Sequence, residues 1–287
     1  MSGPRRPIGE VAVERLLAWF DDSGRDLPWR RTRDPWAVLV SELMLQQTQV
    51  ARVVPRYEAF LGRFPTPAAC AAEPASAVVV AWAGLGFNRR ARNLHRAAVL
   101  VVEHHGGRLP ATLPELLALP GIGPYTARAV LAFAFEGDVG VLDVNASRVL
   151  SRVGGTTIDQ AAADAAVPAG DGWRWNQAVL DLGATSCGPT PRCDGCPLAG
   201  GACAWEATGR RPPDPWVRGP RQSTFAGSDR QGRGRLVDAL RAGSVEPSSL
   251  ALVMGWPDDA ARAERVAAGL VADGLVERTG TGWRLSG

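Results

Sequence analysis

The glycines and prolines within residues 119–143 constrain the fold of this 287-residue chain more than any other feature. The segment reads Leu-Pro-Gly-Ile-Gly-Pro-Tyr-Thr-Ala, then an apolar run, then Val-Leu-Asp-Val-Asn. Gly121 and Gly123 tolerate backbone angles that end one helix, and Pro124 suits the first turn of the next. The segment therefore predicts two helices joined by a hairpin, whose backbone N–H groups can approach a phosphate closely.

A turn of this kind also joins packed helices that bind nothing, so the residues beyond it matter. An apolar pattern with helical spacing covers residues 125–135, and Asp143 stands where another helix, predicted over 145–153, would begin. A carboxylate repels the phosphate that the hairpin attracts, so its presence near a nucleic-acid site needs a reason. Catalysis of a reaction in which the substrate develops positive charge supplies such a reason.

Composition limits both the partner and the chemistry. At 46% hydrophobic residues the chain can bury a substantial core, and its length suggests more than one domain. The net charge of +3 is compatible with nucleic-acid binding. All 32 basic residues are arginine, so a lysine Schiff base with a sugar aldehyde is excluded. We find no membrane-spanning run and nothing like a signal peptide in residues 1–10, and we expect a cytoplasmic protein.

Two stretches before the hairpin contain side chains suited to nucleic-acid contact. Trp29 is either a core residue with a solvated Arg30 beside it, or its ring stacks on a base while the Arg30 guanidinium donates hydrogen bonds beside that base. Residues 36–48 predict a helix in which Glu42 stands among apolar neighbours, where a carboxylate usually faces solvent. The glutamines at the end of that helix have amides that can hydrogen-bond base edges.

A third stretch, Gly-Leu-Gly-Phe-Asn at residues 84–88, follows two helices predicted over 50–64 and 68–82. Leu85 and Phe87 lie between or beside glycines on a tight turn, and we expect both to be exposed. The helix after the turn, predicted to reach about residue 104, begins with four arginines: Arg89, Arg90, Arg92 and Arg96. A basic helix face is often merely solvated, but apolar side chains beside it suit a wedge into a base stack.

Four cysteines follow a helix predicted over residues 173–185. Cys187, Cys193, Cys196 and Cys203 have the spacing C-x5-C-x2-C-x6-C. In a cytosolic chain such a cluster indicates a metal site rather than disulfides. Four thiolates suit either zinc or a [4Fe-4S] cluster, and the spacing does not decide between them. Cys70 lies apart and is assigned to the core.

The C-terminal part begins with residues 209–227, whose Arg, Pro, Gly and Ser content predicts a linker. Helical patterns at 232–242, 248–254 and 258–273 then precede a hairpin predicted over 275–285. Helices closed by a hairpin suggest a winged helix, a module that either binds DNA or only packs.

Taken in order, these motifs closely resemble those of the MutY adenine DNA glycosylases of the endonuclease III superfamily, over roughly residues 11–205. The resemblance implies an all-α fold, with a six-helix barrel that contains the helix-hairpin-helix at 31–138. It implies an iron-sulfur cluster domain made of 1–30 and 139–208, followed by the linker and a winged-helix-like domain at 228–287. A [4Fe-4S] cluster rather than zinc is implied on the four cysteines. The expected partner of this monomer is double-stranded DNA with mismatched or oxidised bases.

The resemblance also assigns the chemistry. Glu42 matches the general acid of the family, and Asp143 matches its catalytic carboxylate. Cleavage of an N-glycosidic bond leaves a cation-like sugar and a poor leaving group, so one group protonates the base while another stays anionic. Glu42, with a raised pKa, is expected to protonate N7 of adenine. Tyr125 and Asn145 match supporting positions, and Tyr125 replaces the lysine of the lyases, which implies a monofunctional glycosylase.

The target base must leave the duplex to reach either carboxylate. The positions that line the adenine pocket of the family match Leu27, Trp29, Arg30 and Gln177. The positions that contact the opposite base, or wedge beside it, match Gln47, Thr48, Leu85 and Phe87. Gly121 and Gly123 form the phosphate-binding turn.

Several departures from the family pattern bear on specificity. Phe87 stands where tyrosine is usual, and Asp-Val-Asn-Ala replaces the commoner Asp-Gly-Asn-Val or Asp-Thr-Asn-Val. The outer cysteine spacings each differ by one from C-x6-C-x2-C-x5-C. We recognise no Nudix-like C-terminal domain, the part that reads 8-oxoguanine in many relatives, and the short tail resembles some actinobacterial members.

The sequence therefore predicts a base excision repair glycosylase that hydrolyses adenine from pairs with 8-oxoguanine or guanine. One alternative is a glycosylase of the same scaffold with another target, such as thymine in G·T mismatches. The other is a DNA-damage-binding protein without catalysis, against which the presence of both Glu42 and Asp143 argues.

Overall fold

The computed structural model describes residues 7–217, 219 and 223–287, and its regular structure is almost entirely helical. The first helices are α1 Glu10–Ser23, α2 Pro35–Leu45, α3 Val50–Arg63, α4 Pro67–Ala71, α5 Ala75–Ala81, α6 Arg89–His105, α7 Leu113–Ala118 and α8 Pro124–Phe133. The others are α9 Val144–Gly154, α10 Gln160–Ala166, α11 Gly172–Thr185, α12 Ala204–Ala207, α13 Asp229–Leu240, α14 Leu250–Met254 and α15 Ala260–Ala272, followed by strands β1 Val276–Thr279 and β2 Gly282–Leu285. None of the helices in this described part is long and apolar enough to cross a membrane.

Within the described residues the chain forms two compact units. The first draws on residues 7–38, 111–117, 122–217 and 219, and the second on residues 39–110, 118–121 and 223–287. The predicted domain division stays a prediction, because compactness does not define which segments fold independently. Residues 1–6 of its cluster domain, and residues 218 and 220–222 of its linker, lie outside the described residues.

The core of the first unit is formed mainly by α1, α9, α10 and α11. Apolar residues recur on α1 at helical spacing, and their buried face meets the apolar faces of the other three helices. Large members of this core are Leu16, Phe20, Val149, Trp175 and Leu182. Three of the clustered cysteines, Cys187, Cys196 and Cys203, pack against it and are partly buried.

The second unit contains most of α2, whose apolar residues Leu39, Val40, Leu43 and Met44 are buried. The helix predicted over residues 68–82 is wrong in one respect, because the chain forms two helices there, α4 and α5. Pro74 caps α5, and a proline keeps the residue before it out of the helical region, which separates the two. Cys70 is fully buried, as predicted, and burial raises the pKa of its thiol to about 12.

The C-terminal segment of the second unit has the predicted helices closed by a hairpin. Strands β1 and β2 pair antiparallel, with Val276 opposite Leu285 and Thr279 opposite Gly282. Gly282 is required at the turn, because a Cβ there would lie 2.3 Å from the carbonyl oxygen of Val245. Trp283 of β2 is 2% exposed and anchors the hairpin in the small core of this segment.

Candidate active site

The turn between α7 and α8 has the geometry predicted from its glycines. Gly121 has φ +79°, and Gly123 is the N-cap of α8 with Pro124 at the start of the helix. A Cβ on Gly121 would lie 2.7 Å from the Cβ of Asn93, so a side chain there would distort the turn. Both glycines are exposed. The first N–H groups of α8 have no carbonyl acceptor within the helix, and this helix end can therefore bind an anion.

Asp143 is the N-cap of α9, at the start of the helix predicted after it. Its Oδ1 accepts hydrogen bonds from the backbone N–H groups of Asn145 at 2.8 Å and Ala146 at 2.7 Å. Its Oδ2 accepts one from the side-chain amide of Asn145 at 3.0 Å. These donors fix the orientation of a half-buried carboxylate, and the helix N-terminus stabilises its negative charge. Asp143 and Asn145, both predicted site residues, are therefore in direct contact.

Arg148, which sequence reasoning missed, holds Asn145 from the next turn of α9. It donates to Oδ1 of Asn145 at 2.8 Å, to the carbonyl of Gly183 at 3.0 Å and to the carbonyl of Cys187 at 2.6 Å. Burial lowers the pKa of its guanidinium. The available signal was spacing, since a residue three positions after Asn145 lies on the same helix face. The Asp143 carboxylate is thus linked through two side chains to the first clustered cysteine.

Glu42 lies on α2 in the second unit and is 5% exposed. Glu42 is therefore not on a solvent-exposed helix face, which is the usual position for a glutamate among apolar neighbours. Tyr125 is the second residue of α8 and is half-buried.

Two predicted pocket residues, Arg30 and Gln177, are in contact. Nε of Arg30 donates to Oε1 of Gln177 at 2.7 Å, and the other two guanidinium nitrogens donate to Asp181 at 2.9 and 2.7 Å. Arg25 also donates to this fully buried Asp181 carboxylate. Burial alone would raise the pKa of Asp181, but its bonds to the two arginines outweigh burial and the pKa is lowered. Sequence reasoning missed Asp181, although it follows Gln177 by one helical turn.

Leu27 and Trp29 are also buried, at 8% and 7% exposed, around the short 3₁₀ turn Pro28–Arg30. The expectation of a solvated arginine beside a core tryptophan is wrong, because Arg30 is itself 9% exposed. Its charge is accommodated by Asp181, a partner that lies far away in sequence.

Arg90 joins the end of α2 to the turn at residues 84–88. It donates to backbone carbonyls at the end of α2, including that of Leu43 at 2.6 Å, and to those of Leu85 and Gly86 at 3.1 and 3.0 Å. It also donates to the hydroxyl of Thr48 at 3.1 Å. At 8% exposed it is not part of a solvated basic face, and burial lowers its pKa to about 10. Arg90 thereby brings three predicted residues together.

Those three are Thr48, Leu85 and Phe87, and Gln47 precedes them on the chain. The Thr48 hydroxyl donates to the Leu85 carbonyl at 3.3 Å, and the Arg90 guanidinium lies 5.5 Å from the centre of the Phe87 ring. Phe87 and Gln47 have positive φ angles of 47° and 56°, and Phe87 is 41% exposed. The expected exposure of Leu85 is wrong, because its side chain packs inward and is only 2% exposed.

The four clustered cysteines line one small cavity in the first unit, and each is a free thiol. Burial raises the pKa of the Cys196 and Cys203 thiols, and the neighbouring cysteines add to the effect. Arg152 places Nη1 at 3.5 Å from Sγ of Cys187, and its carbonyl accepts from Sγ of Cys203 at 3.3 Å. Four thiols around one cavity fit the donor chemistry of zinc or an iron-sulfur cluster. In the described residues, however, no three His, Cys, Asp or Glu side chains are arranged to hold a metal ion.

Comparison with known proteins gives four informative matches. The family described as the HhH-GPD superfamily of base excision DNA repair proteins matches residues 40–166. An adenine DNA glycosylase of Mycobacterium tuberculosis is 40% identical over 291 residues, which cover 97% of this chain and 93% of that protein. A thermostable thymine-DNA glycosylase has a similar structure, with a TM-score of 0.64 and 30% identity over 69% of this chain and 96% of that one. An endonuclease III trapped on DNA has a TM-score of 0.60 over 70% of this chain and 96% of its own, at 22% identity, and so shares the fold.

Proposed function

The chain belongs to the MutY-type adenine DNA glycosylases of the helix-hairpin-helix superfamily, and we propose that it hydrolyses the N-glycosidic bond of adenine mispaired with 8-oxoguanine or guanine in double-stranded DNA. Its all-α fold with a small C-terminal hairpin is the one predicted. The observation that carries the proposal is the Asp143 carboxylate, held by three donors at the start of α9. The reaction is a step of base excision repair, carried out by a monomer in the bacterial cytoplasm.

In this reaction Glu42 supplies a proton to N7 of adenine, and the C1′–N9 bond breaks with its electron pair leaving on the base. Burial favours the protonated form of a carboxyl group, which suits the position of Glu42. The sugar left behind is cation-like, and the Asp143 carboxylate stabilises it because three donors hold that carboxylate in a fixed orientation. A water molecule then adds to C1′ and gives up a proton, which completes the hydrolysis.

Tyr125 and Asn145 support the carboxylate, and no lysine is present in the chain to form an imine with the sugar. Base release is therefore the whole reaction, and the strand is not cut by the enzyme. Asn145 has a defined role, because its amide donates to Asp143 while its carbonyl oxygen accepts from Arg148.

The extruded adenine enters a pocket formed by Leu27, Trp29 and Gln177. We assign Arg30 to positioning rather than to base contact, because its donors already bind Asp181 and Gln177. Since Oε1 of Gln177 accepts from Arg30, the amide N–H groups are the part of Gln177 that can contact the base. Gln47, Thr48 and Phe87 act beside the opposite base, while the buried Leu85 supports the turn that carries Phe87, and the hairpin glycines bind backbone phosphate.

Cys187, Cys193, Cys196 and Cys203 hold a [4Fe-4S] cluster in this proposal. Such a cluster would have a structural role there, because the four cysteines would supply all of its ligands. Arg152 supports the cysteine segment by donating to the carbonyl of Gly188 at 2.7 Å.

A panel of duplexes tests the proposed function. Each contains one pair, A·8-oxoguanine, A·G, G·T or a matched pair, and base release is measured with and without alkali, which cleaves abasic sites. We expect release of adenine from the first two and strand cleavage only after alkali. Thymine release from G·T alone would favour the second candidate function, which the similarity to a thymine-DNA glycosylase supports. Binding to mismatches without release of any base would contradict both.

A further inference from the structure

The second unit contains a cavity of about 710 Å³ whose walls come from two distant parts of the sequence. One wall is the turn at residues 84–88 with the start of α6, and the other is α13 with neighbouring residues of the C-terminal segment. Pockets that bind small ligands or single nucleotides have volumes of roughly 300–1,000 Å³. No function has been assigned so far to the C-terminal wall.

The walls of this cavity are strongly cationic. Asp238 is the one acid that lines it within the described residues, against six arginines: Arg52, Arg89, Arg90, Arg230, Arg233 and Arg241. Four of the six have partners in the protein, since Arg89 and Arg233 pair with Asp273, Arg241 pairs with Asp238, and Arg90 binds carbonyls.

The other two arginines, Arg52 and Arg230, form no ion pair within the part of the chain that the structure describes. Nε of Arg230 is buried there without an acceptor, although its Nη2 donates to the Ser223 carbonyl at 3.2 Å. A buried donor without an acceptor is unfavourable by itself, and a shift of the Arg230 side chain onto an anion in the cavity would relieve this.

The two walls are held together by specific contacts, so the cavity is formed before any ligand binds. Arg241 of α13 donates to Oδ1 of Asn88 at 2.9 Å and to the Val79 carbonyl at 3.2 Å. Arg89 reaches Asp273 at 3.5 Å across the same junction. Burial lowers the pKa of Arg241, and the negative charge of Asp238 opposes this shift.

Two phenylalanine rings also lie in the walls, one from each side. Phe87 is 41% exposed and Phe225 is 53% exposed, and Arg230 lies 5.3 Å from the centre of the Phe225 ring. Exposed aromatic rings beside guanidinium groups are the usual means by which proteins bind single nucleotides of a strand, through stacking and phosphate contact.

We propose that this cavity is a binding site for one nucleotide of a DNA strand, to which the C-terminal segment contributes the phosphate contact through Arg230 and the stacking surface through Phe225. Arg52 provides the second phosphate contact from α3. The inference rests on the proposed function only in taking DNA as the ligand. It gives the winged-helix-like segment a direct part in substrate binding rather than a packing role alone.

Fluorescence anisotropy of a labelled duplex tests the proposal in the full-length protein. The duplex carries a tetrahydrofuran abasic analogue opposite guanine, so it has no base to release and binding is measured independently of activity. The variants are Arg230→Ala, Arg230→Lys and Phe225→Ala. The matched control is Arg265→Ala, which removes the same charge from the same segment at an exposed residue outside the cavity. Thermal unfolding of each variant is the control for folding, since a folded variant unfolds in a cooperative transition.

We expect Arg230→Ala to raise Kd about fivefold to tenfold and to lower the slope of log Kd against log salt by about 1, because one phosphate contact is lost. Arg230→Lys should keep the slope. Phe225→Ala should raise Kd about fivefold or more with the slope unchanged, because it removes stacking and no charge. Equal Kd and slope for Arg230→Ala and Arg265→Ala would overturn the proposal.

Calorimetry with inorganic phosphate and with a free deoxynucleotide tests whether the cavity binds a free anion instead of a nucleotide within a DNA strand. If either binds the wild type and not Arg230→Ala, while duplex binding is the same in both, the cavity holds a free anion and the proposal is wrong. An inactive wild type would contradict the proposed function but would leave these binding results interpretable.

Discussion

Asp181 shows how one buried carboxylate can control several predicted site residues. Its two oxygens accept bonds from Arg30 and Arg25, and Arg30 in turn orients Gln177. Removal of Asp181 would leave buried guanidinium charge without a partner, which is among the more costly changes that a single substitution can make. The residue therefore stabilises the first unit and also fixes the orientation of Arg30 and Gln177.

The first prediction concerns the pH dependence of this stabilisation. The pKa of Asp181 is lowered in the folded state, so its contribution is fully present above the unfolded value of about 3.9 and is lost as pH falls through the lower folded pKa. Asp181→Asn should lower the free energy of unfolding by about 3 kcal/mol or more at pH 7. Urea unfolding at pH 7 and at decreasing pH below 5 should show the gap to wild type shrinking. A gap independent of pH would contradict the assignment.

Individual roles could be predicted from the sequence where the interaction is local. The contact between Asp143 and Asn145 spans two residues and follows from helix-capping chemistry. Arg90 and Asp181 were not recognised because their partners lie far along the chain, 47 residues away for the Leu43 carbonyl and 151 for Arg30. Leu85 was placed on the surface because a turn between glycines usually is exposed, whereas the fold turns this side chain inward.

At the scale of elements, the hairpin between α7 and α8 is the feature that sequence reasoning described best. Its glycines, its proline and the flanking apolar helices are all local signals, and the structure has each in its expected place. The division of residues 68–82 into α4 and α5 was missed because the apolar pattern continues through the break, while Pro74 interrupts the backbone.

The second prediction is a matched pair of alanine substitutions in this hairpin. Gly121→Ala places a Cβ 2.7 Å from the Asn93 side chain at a positive φ, and we expect it to weaken binding to every duplex about fivefold or more. Gly123→Ala is the control, because its φ is −92° and no atom lies within 4 Å of the new Cβ. Gel-shift or anisotropy measurements on matched duplexes would compare the affinity of each variant with that of the wild type. Wild-type affinity for Gly121→Ala would show that the turn does not set phosphate contact.

At the scale of the whole molecule, the cysteine segment and the Asp143 carboxylate belong to one hydrogen-bond network of the first unit. Arg148 donates to both the Cys187 carbonyl and the Asn145 side chain, so the position of the Asp143 carboxylate depends on the folded first unit as a whole. The C-terminal segment shares a compact unit with residues 39–110, and its packing against them could not be predicted, because no local pattern encodes a contact so distant in sequence.

The third prediction concerns the cluster. Purified protein should be brown and contain about four irons per chain if the cysteines hold a [4Fe-4S] cluster. Cys196→Ser should lower the temperature of unfolding, and base release should fall only in proportion to the fraction of unfolded protein. Colourless, zinc-loaded protein with full activity would overturn the cluster assignment.

The central claim is that Glu42 and Asp143 divide the chemistry of adenine release between them. Single-turnover release from an A·8-oxoguanine duplex, compared for wild type, Glu42→Gln and Asp143→Asn, tests it most directly. We predict that each substitution lowers the rate at least about a hundredfold while duplex binding is retained, because each removes a proton donor or a charge without touching the hairpin. Adenine release at the wild-type rate by Asp143→Asn would contradict the account.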